Sequence, residues 1–142
     1  MSQTAIFGPF FAVMLLTLAV WTYMYVRRIH FLQSNDIQPD QIATPDALAR
    51  MSPPGVATPS DNLKNLFELP VLFYGICLYL FATSQVDGTY IGAGWVFASF
   101  RALHSAVHCT VNVINVRFAL YSISSLAVWF MVGRAGIRYF AS

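Results

Sequence analysis

The sequence predicts an all-α membrane protein built as a bundle of four transmembrane helices. Two observations carry that reading. Hydrophobic residues make up 57% of the chain and charged residues only 10%, with a mean hydropathy of +0.59, too little polar surface to wrap a soluble core. The apolar residues also gather into four long stretches. At ~20 residues per span, four spans and their connections nearly exhaust a chain of this length. The formal net charge is only +2, which gives no basis for nucleic-acid binding.

The first helix is expected at about 5–30, because Ala5 to Val26 carries no charge and is long enough to span. Trp21, Tyr23 and Tyr25 lie at its end, followed by Arg27 and Arg28, the order of an aromatic belt and a basic exit into headgroups. Ser2, Gln3 and Thr4 supply no basic n-region, so the stretch reads as a membrane anchor rather than a secretory signal. A polar connection of about 31–58 follows, rich in proline and aspartate. Within it, Thr44-Pro45 can cap and start a short helix, and Pro53-Pro54-Gly55 stops it. The connection is either a plain loop or a lid over a membrane-embedded site.

The second helix is expected at about 59–84, opened by Thr58-Pro59-Ser60-Asp61, with a local kink at Pro70. A tight turn from Ser84 to Gly88 leads to the third helix at about 90–112, and the fourth occupies about 117–140. All of 1–142 reads as one transmembrane domain. Cys77 and Cys109 fall far apart in apolar segments, without zinc or CxxC spacing, and read as reduced, buried thiols. Arg27, Arg28, Arg50, Lys64 and Arg117 lie at the end of the bundle that holds the long connection; Arg134 and Arg138 lie at the end with both termini. The positive-inside bias puts the long connection in the cytoplasm and the termini on the opposite side.

Ionisable side chains inside spans cost ~2.5–3.5 kcal/mol each on insertion scales, so each needs a partner or a purpose. Arg101, His104, His108 and Asn112 recur at helical spacing and form a stripe that must face protein or a wet cleft rather than lipid. Lys64, Asn65 and Glu68 share the start of the second helix, where Lys64 and Glu68 are spaced to pair. The simplest inter-helix pairing sets Glu68 against Arg101. Three readings stay open: a structural salt bridge with histidine hydrogen bonds, a binding site for a polar ligand, and a metal site on His104, His108 and Glu68.

Asn65-Leu66-Phe67-Glu68 with Pro70 and Phe73, then Arg101-Ala102-Leu103-His104, then Arg117, resembles the MAPEG family, the membrane-associated proteins of eicosanoid and glutathione metabolism, in a prokaryotic-type member. The matching stretch is Lys64 to Phe118. The resemblance implies a homotrimer of four-helix protomers among membrane lipids, with glutathione as cofactor between subunits near the cytoplasmic face. It implies that Lys64, Asn65, Glu68, Arg101 and His104 bind the cofactor and that Arg117, with His108, is catalytic. The chemistry fits: a free thiol titrates near ~8.5, and lowering that value by ~2 units takes ~2.7 kcal/mol of preferential thiolate stabilisation, which a close arginine supplies. The implied activity is that of a transferase or peroxidase acting on lipophilic electrophiles or lipid hydroperoxides.

Three positions depart from the catalytic pattern. His108 stands where eicosanoid-type members carry a tyrosine, Asp61 where a basic residue often meets the glutathione carboxylates, and Phe118 where some members have a serine. Tyr74 and Tyr121 are alternative sources of the missing hydroxyl. The departures support a second reading, a non-catalytic protein of the same fold: a lipid- or quinone-binding module, or an accessory subunit of a larger membrane complex.

Overall fold

The structure, a computed structural model, describes residues 2–141. The described residues form helices and connections, with no strand among them: α1 (Phe7–Ser34), α2 (Pro45–Met51), α3 (Pro54–Asn65), α4 (Leu69–Ala82), α5 (Gly88–Cys109) and α6 (Ile114–Phe140). Short 3-10 turns at Gln3–Ile6 and Pro39–Ile42 precede α1 and α2. Three segments are long and apolar enough to cross a membrane: Gln3–Ser34, Pro54–Ala82 and Ile114–Phe140. The 22 residues of α5 cover about 33 Å at ~1.5 Å per residue, long enough to span, but its polar stripe lowers its hydropathy.

The bundle is polar inside and apolar outside over half its length. α5 packs against α1, α3 and α6, and buries Arg101 (0% exposed), His104 (2%) and His108 (3%). Phe11, Leu15, Leu18, Val96, Leu126, Trp129 and Ile137 point outward and are exposed. A soluble protein does not present so much contiguous apolar surface; a bilayer covers it. The other half of the bundle holds an apolar core of Ile6, Phe10, Val13, Phe73, Leu80, Tyr90, Phe97, Val128 and Met131. Phe73 and Phe97 stack there with ring centroids 4.4 Å apart. Gly94 permits this packing, since a Cβ on it would meet Pro9 Cγ at 2.9 Å.

Several boundaries differ from those the sequence predicts. α1 continues past its basic pair to Ser34 and ends where Asp36 takes a left-handed φ of 49°. Thr44 caps α2 by accepting from the Ala47 N–H, but Pro53-Pro54 also begins α3 five residues ahead of the expected start at Pro59. Pro53 is extended, as a residue before proline prefers, and Pro54 occupies the first turn, where its missing N–H costs nothing. Pro59 therefore lies inside α3, with the Arg27 guanidinium against Gly55 one turn back. Pro70 gives a break rather than a kink: α3 stops at Asn65, Leu66 to Glu68 turn, and α4 restarts with Pro70 in its first turn.

The turn before α5 is stapled. The Asp87 side chain accepts from the Tyr90 N–H at 3.1 Å, from Arg134 Nη1 at 2.9 Å and from Arg138 Nη2 at 3.2 Å. Both guanidinium groups also lie over the Tyr90 ring, Arg134 at 4.4 Å. Gln3 clamps the same turn, accepting from the Val86 N–H at 2.9 Å and donating to the Val86 carbonyl at 3.3 Å. The hydrogen bond from Arg134 is the main reason the Asp87 carboxyl titrates far below its ordinary value. The folded value lies below the unfolded one, so this contribution is complete above the ordinary carboxylate range and is lost as pH falls towards the folded value.

Asp87→Asn is expected to cost about 1 kcal/mol, for the loss of two partly exposed ion pairs while asparagine still caps the helix, and to lower the thermal midpoint in detergent. The difference from the native protein should be constant above about pH 5 and shrink below about pH 4. Thermal scans across that range check it, and a difference that widens on acidification contradicts it.

Candidate functional site

The site is assembled where α3 ends, α5 enters its last two turns and α6 begins. In the break at Leu66–Glu68 the backbone N–H groups turn back onto the last carbonyls of α3, but the Asn65 carbonyl receives only a long bond of 3.4 Å from the Glu68 N–H, and Arg101 Nη2 donates to it at 2.6 Å. The guanidinium thus sits at the negative end of α3, with its Cζ 5.2 Å from the centre of the Tyr121 ring. The expected pairing of Arg101 with Glu68 is not made. Glu68 sits exposed in the break, at the position where α3 has already ended. Arg101 Nε and Nη1 remain buried without a partner.

His104 lies one turn along α5. Its Nδ1 is 3.0 Å from the Arg117 carbonyl, which only accepts, so Nδ1 carries the proton and Nε2 is the acceptor; Nε2 is buried and unpartnered. His108 follows, edge-on to His104 with ring centroids 5.6 Å apart, and its Nδ1 is likewise unpartnered. Asn112 is not on this helical stripe. α5 stops at Cys109, and Asn112 adopts a left-handed φ of 49° in the turn, a conformation asparagine tolerates. From there its Oδ1 accepts from Arg117 Nη1 at 2.6 Å, which fixes the guanidinium of a half-buried arginine in the first turn of α6.

Asn65, His104, Arg117, Phe118, Ile114 and Tyr121 line a cavity of about 190 Å³. Ile114 and Phe118 form its open lip and are 67% and 70% exposed. Of the residues singled out from the sequence, Asn65, His104 and Arg117 therefore meet in one cleft, and Arg101 underlies it. His108 is buried below His104 and does not line it. Lys64 points elsewhere: it pairs with Asp61 at 3.2 Å rather than with Glu68, on a surface where the side chains are 73% and 57% exposed and the pair contributes little. Of the two tyrosines considered as substitutes, Tyr121 lines the cleft, whereas Tyr74 packs against Phe10 in the apolar half. Among the described residues no three histidine, cysteine, aspartate or glutamate side chains come together to hold a metal.

One functional neighbour was not singled out from the sequence. Asn62 is fully buried, accepts from Ser105 Oγ at 3.3 Å and donates to Cys109 Sγ at 3.5 Å, so α3 and α5 are joined by side-chain hydrogen bonds below the cleft. The signal was present: Ser105 and Cys109 stand one residue after His104 and His108, on the same face of α5.

A helical bundle with apolar outer faces, a polar seam and a half-open cleft at one end defines an integral membrane protein. The particular family follows from comparison with known proteins. A model of the MAPEG family matches residues 6–137, nearly the whole chain, and the chain belongs to that family. No curated protein and no solved structure matches it. Membership places it, in general terms, among membrane proteins related to glutathione and eicosanoid metabolism.

Asn62→Ala is expected to destabilise the detergent-solubilised protein by about 1–3 kcal/mol, because Ser105 loses its buried acceptor. Glu68→Gln should stay within about 0.5 kcal/mol, as an exposed substitution does. Thermal midpoints of the two variants check both values, and a larger loss for Glu68→Gln would restore the buried pairing with Arg101.

Proposed function

We propose that the protein is a membrane-embedded, glutathione-dependent transferase or peroxidase acting on lipophilic electrophiles or lipid hydroperoxides. The observation that carries this reading is the meeting of Asn65, His104 and Arg117 in one cleft, with the Arg117 guanidinium anchored on one side by Asn112 and half-exposed on the other. The residues present fit a peptide-like anion: buried donors and acceptors without partners on Arg101 and His104 lie around the cleft, and Arg117 supplies a fixed positive charge.

The cleft's 190 Å³ is below the ~300–1,000 Å³ of a self-contained small-molecule pocket. Its apolar lip at Ile114 and Phe118 suits a neighbouring protomer that completes the site. On this reading α5 is the fourth span, the assembly is a homotrimer, and each cleft is closed by an adjacent subunit. The basic residues Arg27, Arg28, Arg50, Lys64 and Arg117 support a cytoplasmic cleft end; Arg134 and Arg138 at the other end are held on Asp87.

Glutathione, when bound, supplies a thiol that adds to an electrophile or reduces a hydroperoxide. The protein's part is electrostatic and positional. Arg117 stabilises the ionised sulfur in a site from which lipid and helices exclude most water. Asn112 holds the Arg117 side chain, and the bond from His104 Nδ1 holds its backbone, so little reorganisation is needed. Asn65, with Arg101 behind its carbonyl, and Glu68 in the exposed break orient the peptide; Lys64, the other residue assigned to the cofactor, is engaged by Asp61 instead. His108 lies too deep to line the cleft of a single protomer and acts through His104, whose ring it contacts.

One observation favours the second reading, a non-catalytic lipid- or quinone-binding protein or accessory subunit. Asp61 engages Lys64, which removes a cation from the rim and leaves an acid where glutathione carboxylates would approach.

Arg117→Ala is expected to lower kcat/KM by about 100-fold or more while the trimer stays intact, the scale of loss when a transition-state charge donor is removed. Conjugation of chlorodinitrobenzene, reduction of cumene hydroperoxide and native mass measurement check this. Unchanged turnover in the variant would sink the role given to Arg117.

A further inference from the structure

Behind α3, away from the cleft, lies a second and larger cavity of about 500 Å³ that shares no lining residue with the first. Its floor is α1 and one face of α3, and its roof is the segment from Ile42 to Ser52, which contains α2. Its size falls in the ~300–1,000 Å³ range of small-molecule sites. The walls are apolar at Ile42, Leu48 and Val56, and a single unneutralised charge, that of Arg28, stands at their edge.

Arg28 is the chamber's distinctive feature. Its Nη2 donates to Ser60 Oγ at 3.2 Å, its guanidinium lies 5.9 Å from the centre of the Tyr25 ring, and its Nε is buried without a partner. The only carboxylate in the lining, Asp61, is taken by Lys64, so that pair adds no net charge. Ion pairs among the described residues involve Lys64, Arg134 and Arg138 but not Arg28. A guanidinium with an unused, desolvated donor beside an apolar chamber is complementary to an anion carrying an apolar tail.

We propose that this chamber binds a long-chain carboxylate, with its head on Arg28 and Ser60 and its chain among Ile42, Leu48 and Val56. One uncompensated positive charge matches a monoanion. A more highly charged phosphate head would leave negative charge facing Asp61. The roof closes the chamber from the side of the connection, so the segment from Ile42 to Ser52 is a cover for this ligand and not for the cleft. The chamber shares no lining residue with the cleft, although Asp61 and Lys64 stand at the rim between the two.

The test uses the full chain in nanodiscs of zwitterionic lipid, titrated with carboxyl-¹³C laurate against empty discs. One saturable site per chain is expected above the partitioning seen in empty discs. Dodecanol, which has the same chain without the charge, should compete about tenfold or more weakly, and Arg28→Gln should weaken laurate binding by about tenfold or more. Leu48→Trp, which keeps Arg28 but fills the chamber, should block binding. Binding no greater than in empty discs, equal competition by dodecanol, or native affinity in both folded variants overturns the proposal. So does stronger displacement by lysophosphatidate, which assigns the chamber to a phosphate head, or loss of binding in Arg117→Ala with Leu48→Trp unaffected, which moves the acid to the cleft. If Arg28→Gln does not fold, the dodecanol comparison on the native protein decides.

Discussion

Arg101 is a fully buried cation whose side chain, among the described residues, makes one hydrogen bond, to the Asn65 carbonyl, and the polar half of the bundle is arranged around that bond. A charge placed inside a membrane bundle demands acceptors, and a carboxylate is one way to supply them. Here the acceptor is the end of a helix. Pro70 forces α3 to stop, the stop exposes a carbonyl, and the guanidinium takes it at the negative end of the helix dipole. This joins α3 to α5, while the contact between Arg101 and the Tyr121 ring joins α5 to α6. Because α5 is fixed in rotation by these contacts, His104 meets the first turn of α6, and the cleft exists.

The two ends of the bundle then solve different problems. At the cleft end, Asn62, Ser105, His104 and His108 replace apolar packing with hydrogen-bonding groups, some left unpartnered. Such a half is costly in isolation and is tolerated where a ligand or neighbour completes it. At the other end, close packing of Phe73, Phe97, Tyr90 and Met131 supplies the cohesion, and Asp87 and Gln3 close the turn over it. The stable half holds the helices in register; the polar half uses that register to set side-chain positions.

Much of this was legible in residues whose spacing reports a face. The burial of Arg101, His104 and His108 follows from their helical period and the cost of exposing them to lipid. The cap at Thr44 and the start of α2 at Pro45 follow from local chemistry. What was not legible depends on where helices stop. Asn112 continues the helical period in sequence but lies in a turn, because α5 ends three residues earlier. Glu68 shares a face with Asn65 only if the helix runs on, and Pro70 ends it. The early start of α3 was hidden by two prolines that both stop one helix and begin another. A boundary shift of three to five residues changes no span, yet it moves Glu68 out of the seam and brings Asn112 onto Arg117.

Whether this geometry holds an ionised sulfur at Arg117 is read out by ultraviolet difference titration of the detergent-purified protein with glutathione. A thiolate band is expected that rises and saturates near neutral pH, where free glutathione, titrating near ~8.5, is mostly protonated. No band at glutathione concentrations well above cellular ones would contradict it, and would leave the cleft as part of a lipid-binding or accessory membrane protein.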